Sequence, residues 1–148
     1  MTNRVNSRKE LKKLNSGVKS VASFLAILLL AVVLVACGSL ALMRRADAQV
    51  ALGHAKSVRL ALMVTAQDCY SKDVSFCDSS SEGGVTEGLY EEVISLSASP
   101  GDFWVLKTSE DGYTVEKFIY REDDFTVWYQ ANPKSYTVYH NDTMIDGK

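Results

Sequence analysis

The sequence predicts an α+β fold: a long N-terminal helix, membrane-spanning first and amphipathic second, packed on a small antiparallel sheet of about four strands. Three observations predict it. Residues 21–43 are apolar and uncharged, and residues 44–68 have apolar residues at helical spacing. From residue 102 onward, apolar and polar residues alternate with period two. With the basic leader and a linking segment, they divide the chain into residues 1–20, 21–43, 44–68, 69–101 and 102–148.

The leader, residues 1–20, is strongly basic. It carries six basic residues against one acid, Glu10. From Ala46 onward the balance reverses, and acids outnumber bases by about two to one. Basic flanks stay in the cytoplasm, and the six leader bases outweigh the pair Arg44-Arg45. We therefore expect a single-pass protein of the cell membrane with a cytoplasmic N-terminus and an extracytoplasmic C-terminal domain.

The apolar stretch Val21–Met43 predicts the membrane-spanning part of the helix. A helix of this length measures just over ~30 Å, enough to cross a bilayer. No turn signal separates it from the next segment, so one continuous helix is expected from about Ser20 to about Gln67. Small and apolar residues recur on one side of its second half: Ala51, Ala55, Val58, Leu62 and Thr65 or Ala66. Polar residues are expected mostly to face away: Asp47, His54, Lys56 and Arg59.

The linking segment begins with a loop at Cys69–Gly84, which contains a serine run and the pair Gly83-Gly84. A short second helix is expected over Thr86–Leu96, because Leu89, Val93 and Leu96 share one side. The sequence Ser99-Pro100-Gly101 should end it.

Four segments rich in β-branched and aromatic residues predict the strands: Phe103–Lys107, Tyr113–Tyr120, Phe125–Gln130 and Ser135–His140. Turn signals separate neighbouring strands, and short connections favour an antiparallel meander. Because successive side chains of a strand point to opposite faces of the sheet, aromatic residues are expected on both faces. Trp128, for example, should point away from the face that carries Val127 and Tyr129. One face should pack on the helix. The other is either ordinary cross-strand packing or a contact surface for another subunit.

This plan resembles the type IV pilin and pseudopilin family, including its minor pilins. The leader ends in Lys12-Lys13-Leu14-Asn15-Ser16-Gly17, and in that family a peptidase cuts after such a glycine. Cleavage would make Val18 the first mature residue. The segment Ala46–Val50 is similar to the start of the family's amphipathic half-helix. Two positions depart from the pattern: Val18 is not aromatic, and Ala22 stands where a glutamate is usual, as in some minor pilins.

The resemblance implies a subunit of a type IV pilus or a type II secretion-like filament, acting by assembly and not by catalysis. Its partners would be the membrane, other pilin-like subunits and the assembly machinery, with no nucleic acid bound directly. The alternative is a single-pass or lipid-anchored bacterial membrane protein with an extracytoplasmic binding domain. Lipid anchoring would use Cys37, because Leu34-Val35-Ala36-Cys37 fits a lipobox; a small apolar residue in a membrane helix is the other interpretation.

The remaining cysteines, Cys69 and Cys77, are close in sequence. In an oxidising compartment a disulfide between them would close a short loop and stabilise the fold by roughly 2–3 kcal/mol. Two unpaired thiols are the alternative. A metal site is not expected, because neither a CxxC motif nor a nearby histidine accompanies them.

No catalytic constellation is found. The chain has two histidines, His54 and His140, and no nucleophile elbow, phosphate-binding glycine loop or HExxH motif. The acidic run Glu122-Asp123-Asp124 is expected to be a solvated hairpin turn. We therefore expect no enzyme activity, no cofactor and no metal.

Overall fold

The computed structural model describes the backbone of residues 3–147 and the side chains of residues 21–145. The chain forms two compact units, residues 1–43 and residues 44–148. Its elements, in order, are a long helix, a 3₁₀ turn, a short helix and five strands. The predicted α+β class is confirmed, and the sheet has five strands where about four were expected.

The long helix α1 runs over Asn3–Ser71 without a break. It extends beyond both predicted ends, and the stretch Val21–Ser71 is, by length and composition, long and apolar enough to cross a membrane. Side chains from Val21 to Met43 are exposed all round the helix axis. A helix that is apolar on every side could span a membrane.

Within the second unit, α1 buries one face. The buried side chains there are mostly small: Ala48, Ala51, Leu52, Ala55, Val58, Ala61, Leu62, Thr65, Ala66 and Cys69. They include every position predicted for that face. Small side chains let the helix axis approach the sheet closely, where the aromatic residues of the strands fill the remaining space. The predicted amphipathic face is confirmed.

The short helix α2 spans Leu89–Ser97, so it starts three residues later and ends one residue later than predicted. Gly88 precedes it with φ of 86°, a left-handed conformation that excludes Gly88 from the helix. Ala98 ends the helix in a left-handed conformation, and its N–H donates to the carbonyl of Ile94. A 3₁₀ turn at Glu82–Gly84 lies before it.

The sheet is an antiparallel meander with strand order β1-β2-β3-β4-β5, as the short connections predicted. The strands are β1 (Asp102–Thr108), β2 (Val115–Glu122), β3 (Phe125–Gln130), β4 (Ser135–His140) and β5 (Thr143–Gly147). The second strand starts two residues later than predicted. Tyr113 instead belongs to a turn in which its N–H donates to the Asp111 carboxylate.

The fifth strand was missed by the sequence analysis. Asn141 and Asp142 both have positive φ, 46° and 64°, which makes them a two-residue hairpin turn between β4 and β5. Asn and Asp are the residues that tolerate this conformation best after glycine. The signal was therefore present in the sequence as Asn-Asp between two β-rich segments.

The core of the second unit lies between the inner face of the sheet and the buried face of α1. The buried strand residues are Phe103, Val105, Val115, Phe118, Tyr120, Val127, Tyr129 and Val138. They form one cluster with the small residues of α1, with Val93 of α2 and with Phe76 and Val85 of the linking segment. One buried polar atom in the described side chains, the hydroxyl of Thr65, has no hydrogen-bond partner.

Candidate assembly and binding surfaces

Helix α1 keeps an apolar surface on the side opposite the sheet. We call it the outer stripe, and its members are Leu60, Met63 and Val64. All are about half exposed or more; Leu60, for example, has 59% of its surface accessible. The sequence from Leu60 to Gln67 carries no charged residue. A solvent-facing helix side normally carries more charge, so this face is suited to contact with another apolar surface.

The polar residues of α1 lie closer to the sheet than predicted. His54 was expected in solvent, yet its Nδ1 lies 2.7 Å from Glu122 Oε2, and the Glu122 side chain is only 15% exposed. The sequence interpretation was wrong because the partner lies 68 positions away in the chain. Lys56 and Arg59 were also expected to face away. Their cationic groups instead lie over Tyr136 and Tyr129, at 5.7 Å and 5.0 Å from the ring centroids.

Glu122 belongs to a hydrogen-bond network that ties three elements together. Tyr120 donates its hydroxyl proton to Glu122 Oε2 at 2.8 Å, and the backbone N–H of Gly101 donates to the same hydroxyl oxygen. Burial and the Glu122 carboxylate raise the pKa of Tyr120. A side chain on Gly101 would collide with the carbonyl of Arg121, 2.0 Å from an added Cβ. The network is therefore structural: it fixes α1, β2 and the loop after α2 to one another.

The residues predicted for processing and lipidation all belong to α1. Gly17 and Val18 lie outside the residues whose side chains are described. Cys37 is an exposed free thiol of the first unit. Its exposure is the same as that of its apolar neighbours along the helix, so the structure does not set Cys37 apart from them.

Cys69 and Cys77 are free thiols in the structure, so the predicted disulfide is not formed there. Cys69 is buried at the end of α1, and Cys77 is partly buried in the linking segment. Burial raises the pKa of both thiols, and the neighbouring Asp68 adds to the effect on Cys69. Thiols with raised pKa values are poor nucleophiles at neutral pH. Their pairing in an oxidising compartment stays a prediction.

The outer face of the sheet carries a row of large side chains that the sequence analysis only outlined. Trp104 of β1 pairs with Ile119 of β2, which pairs with Trp128 of β3. We call these three residues the tryptophan face. The two tryptophans are 43% and 46% exposed. Alternation predicted that aromatic rings would reach this face, but only strand register places them in one row.

The acidic run at the β2–β3 turn lines an open cleft of about 390 Å³ together with Arg44, Asp47 and His140. Among the described residues, no three histidine, cysteine or acidic side chains converge on a point where they could hold a metal ion. Comparison of the chain with protein-family models, with curated proteins and with solved structures finds no match.

Proposed function

We propose that this chain is a pilin-like or pseudopilin subunit of a type IV pilus or a type II secretion-like filament, and that it acts by assembly. The single observation that carries the proposal is the outer stripe of α1. A helix that could cross a membrane continues into a stretch whose one face is covered by its own sheet and whose other face carries exposed apolar side chains.

Uncovered apolar helix faces gain free energy by packing against another helix. Burial of apolar surface stabilises by roughly 25 cal/mol per Å², so several half-exposed side chains along one stripe make association favourable. Subunits packed helix against helix would cover the outer stripe and leave the sheet domains pointing outward. When the subunit moves from the membrane into such a filament, helices of neighbouring subunits would replace the lipid around Val21–Met43.

The departures from the family pattern specify the kind of subunit. Ala22 supplies no carboxylate for the N-terminal amine of a neighbour, a contact ascribed to typical major pilins. A subunit lacking it is better suited to a minor position, such as a filament tip, than to the repeating shaft. We therefore propose a minor subunit, with processing after Gly17 to give Val18 as the mature N-terminus.

A matched pair of variants tests the outer stripe. Leu60→Glu places a charge in the stripe, whereas Leu96→Glu places one on α2 at a leucine of similar exposure, 54%. In the native cells, the first variant should be depleted from isolated filaments and the second retained, with equal circular dichroism. Equal retention of both would contradict assembly through this stripe. The proposal as a whole fails if the wild-type chain never co-purifies with filament components and its deletion leaves pilus assembly and secretion intact.

Mass spectrometry of the mature N-terminus separates this proposal from the alternative of a lipid-anchored or simple single-pass protein. A chain that starts at Val18 supports the filament subunit. A chain that starts at an acylated Cys37 supports the lipoprotein. In that protein the lipid would anchor an extracytoplasmic domain that binds its ligand through the tryptophan face.

A further inference from the structure

The tryptophan face has the dimensions of a platform for an extended polymer. Trp104, Ile119 and Trp128 are directly opposite one another on three consecutive strands. Two strand spacings separate the tryptophans, which is roughly 10 Å. Because a sugar ring is smaller than this separation, two indoles so placed would contact different rings of one chain. Both tryptophans of the sequence are used in this row.

Each tryptophan forms the wall of its own shallow pocket. The pocket at Trp104 has a volume of about 350 Å³ and is also lined by Asp102, Ile119 and Arg121. The pocket at Trp128 has a volume of about 300 Å³ and is lined mostly by polar side chains: Lys117, Gln130, Ser135, Thr137 and Tyr139. An aromatic wall with a few polar groups beside it is the usual composition of a site for a small polar ligand.

The Trp104 side of the platform is held in place before any ligand arrives. The 3₁₀ turn packs against β1 at Gly84, where an added Cβ would lie 2.6 Å from the Val105 carbonyl oxygen and 3.4 Å from Trp104 Nε1. Asp102 accepts a hydrogen bond from the Tyr90 hydroxyl at 2.9 Å. Side chains fixed in this way lose little conformational entropy on binding.

We propose that the tryptophan face binds a strand of an acidic polysaccharide. The apolar C–H faces of two sugar rings would stack on the electron-rich faces of the indoles. Sugar hydroxyls would donate to the Asp102 carboxylate and exchange hydrogen bonds with Thr137. Carboxylate groups along the strand would meet Lys117 and Arg121, which lie on either side of Ile119 and form no ion pair within the described part of the chain.

Charge distribution favours this occupant over a nucleic acid. The domain from Ala46 onward is acidic, whereas the side chains beside the tryptophan face include two bases, Lys117 and Arg121, and one acid, Asp102. A nucleic acid strand has one phosphate every ~3.4 Å and would be repelled by the domain as a whole and by Asp102. An acidic polysaccharide has at most one carboxylate per sugar ring in its uronate units, and its hydroxyls can donate to Asp102, so both penalties are smaller. This proposal is independent of filament assembly, since the outer stripe and the tryptophan face belong to different elements.

The test uses the full chain in a neutral detergent and the intrinsic fluorescence of its two tryptophans, both of which lie in the site. The probes are an oligogalacturonate, which is acidic, and fully N-acetylated chitohexaose, which is neutral and is called chitohexaose below. We expect a saturable fluorescence change with the oligogalacturonate and a weaker affinity for chitohexaose. By isothermal titration calorimetry, Trp104→Ala and Trp128→Ala should each weaken oligogalacturonate binding about tenfold, the loss of one stacked ring.

Two controls separate binding chemistry from folding. Tyr70→Ala removes an exposed aromatic ring from α1 and should leave the affinity unchanged. Lys117→Gln with Arg121→Gln should weaken binding of the oligogalacturonate and leave that of chitohexaose unchanged. Trp104→Phe and Trp128→Phe, which keep a ring, should retain most of the affinity if an alanine variant fails to fold.

Four results would overturn the proposal. They are no binding of either sugar at millimolar concentration, equal loss of affinity in Tyr70→Ala, tighter binding of a single-stranded oligonucleotide than of the oligogalacturonate, or dimerisation through this face. Equal affinity for the two sugars would overturn the role assigned to Lys117 and Arg121. None of these results depends on whether the chain enters a filament.

Discussion

The two apolar stretches of helix α1 differ in what surrounds them. From Val21 to Met43 every described side chain is exposed, and most residues are large: leucine, valine, isoleucine and phenylalanine. Between Ala48 and Cys69, one face is buried beneath the sheet and is made largely of alanine. Large side chains all round the axis favour lipid or other helices, whereas a small-residue face permits close approach to a sheet. The two stretches of the helix are therefore suited to different surroundings.

The largest effect is expected inside the covered face. Leu62 is fully buried, and Leu62→Ala should lower the free energy of unfolding by about 3 kcal/mol through lost burial and a cavity. Leu60 lies two positions earlier and is exposed, so Leu60→Ala should cost about 0.5 kcal/mol or less. Chemical denaturation of both variants in detergent measures the difference. Similar losses at the two positions would mean that the outer stripe is also covered.

The two stretches of α1 should also differ in how well they tolerate a charged side chain. Leu30→Arg places a guanidinium in the middle of the proposed membrane span, where it should cost about 3 kcal/mol in membrane insertion. Leu60→Arg should leave insertion unchanged, because that residue lies beyond the span. Alkaline carbonate extraction of membranes reports the fraction inserted. If both variants insert as well as the wild type, Val21–Met43 is not the membrane-spanning segment.

A smaller effect is expected at the contact between α1 and β2. Replacing Glu122 by alanine removes the acceptor for His54 and Tyr120 and should destabilise the domain by about 2 kcal/mol. A double-mutant cycle with His54→Ala isolates the direct contact, for which we expect a coupling energy of about 1 kcal/mol at pH 7. Thermal unfolding of the four proteins gives this value. A coupling energy of zero would show that the two side chains act independently.

One position in the covered face should gain stability. The Thr65 hydroxyl is buried without a partner, so Thr65→Val should raise the free energy of unfolding by about 1 kcal/mol. The shape of the side chain is conserved, and the uncompensated polar group is removed. Thr65→Ser, which keeps the hydroxyl and loses a methyl group, is the matched control and should be destabilising. A loss of stability in Thr65→Val would indicate a bonded hydroxyl.

The smallest effect is a pH dependence of the second unit, which the stretch Val21–Met43 does not share because it carries no charged residue and no histidine. Burial and the hydrogen bond to Asp102 raise the pKa of Tyr90 to about 12. The unfolded chain ionises this phenol near pH 10 and the folded chain does not, so stability is full below pH 10 and falls from there toward pH 12. Denaturation at pH 9, 10 and 11 measures the slope, which should be shallower in Tyr90→Phe. An unchanged slope would assign the effect to other groups.

Sequence patterns predicted the secondary-structure elements, because helices and strands depend on residues close together in the chain. Apolar runs, helical spacing and period-two alternation are properties of consecutive positions, and they predicted the helix, the buried alanine face and four strands. The fifth strand was missed because Asn141-Asp142 was not recognised as a turn. Element ends were displaced by two or three residues where Gly88 and Asp111 impose local geometry that the patterns do not show.

The surfaces depended on contacts between distant residues. The pairing of His54 with Glu122 joins positions 68 apart, and no periodicity predicts it. Strand register aligns Trp104, Ile119 and Trp128. A register shift of one residue would move the side chains of the shifted strand to the opposite face of the sheet. The sequence by itself thus determined the α+β class and the amphipathic half of α1, because both arise from local period and composition. Tertiary structure decided which face of the helix stays bare and which side chains share the outer face of the sheet, because both depend on the packing of the helix on the sheet.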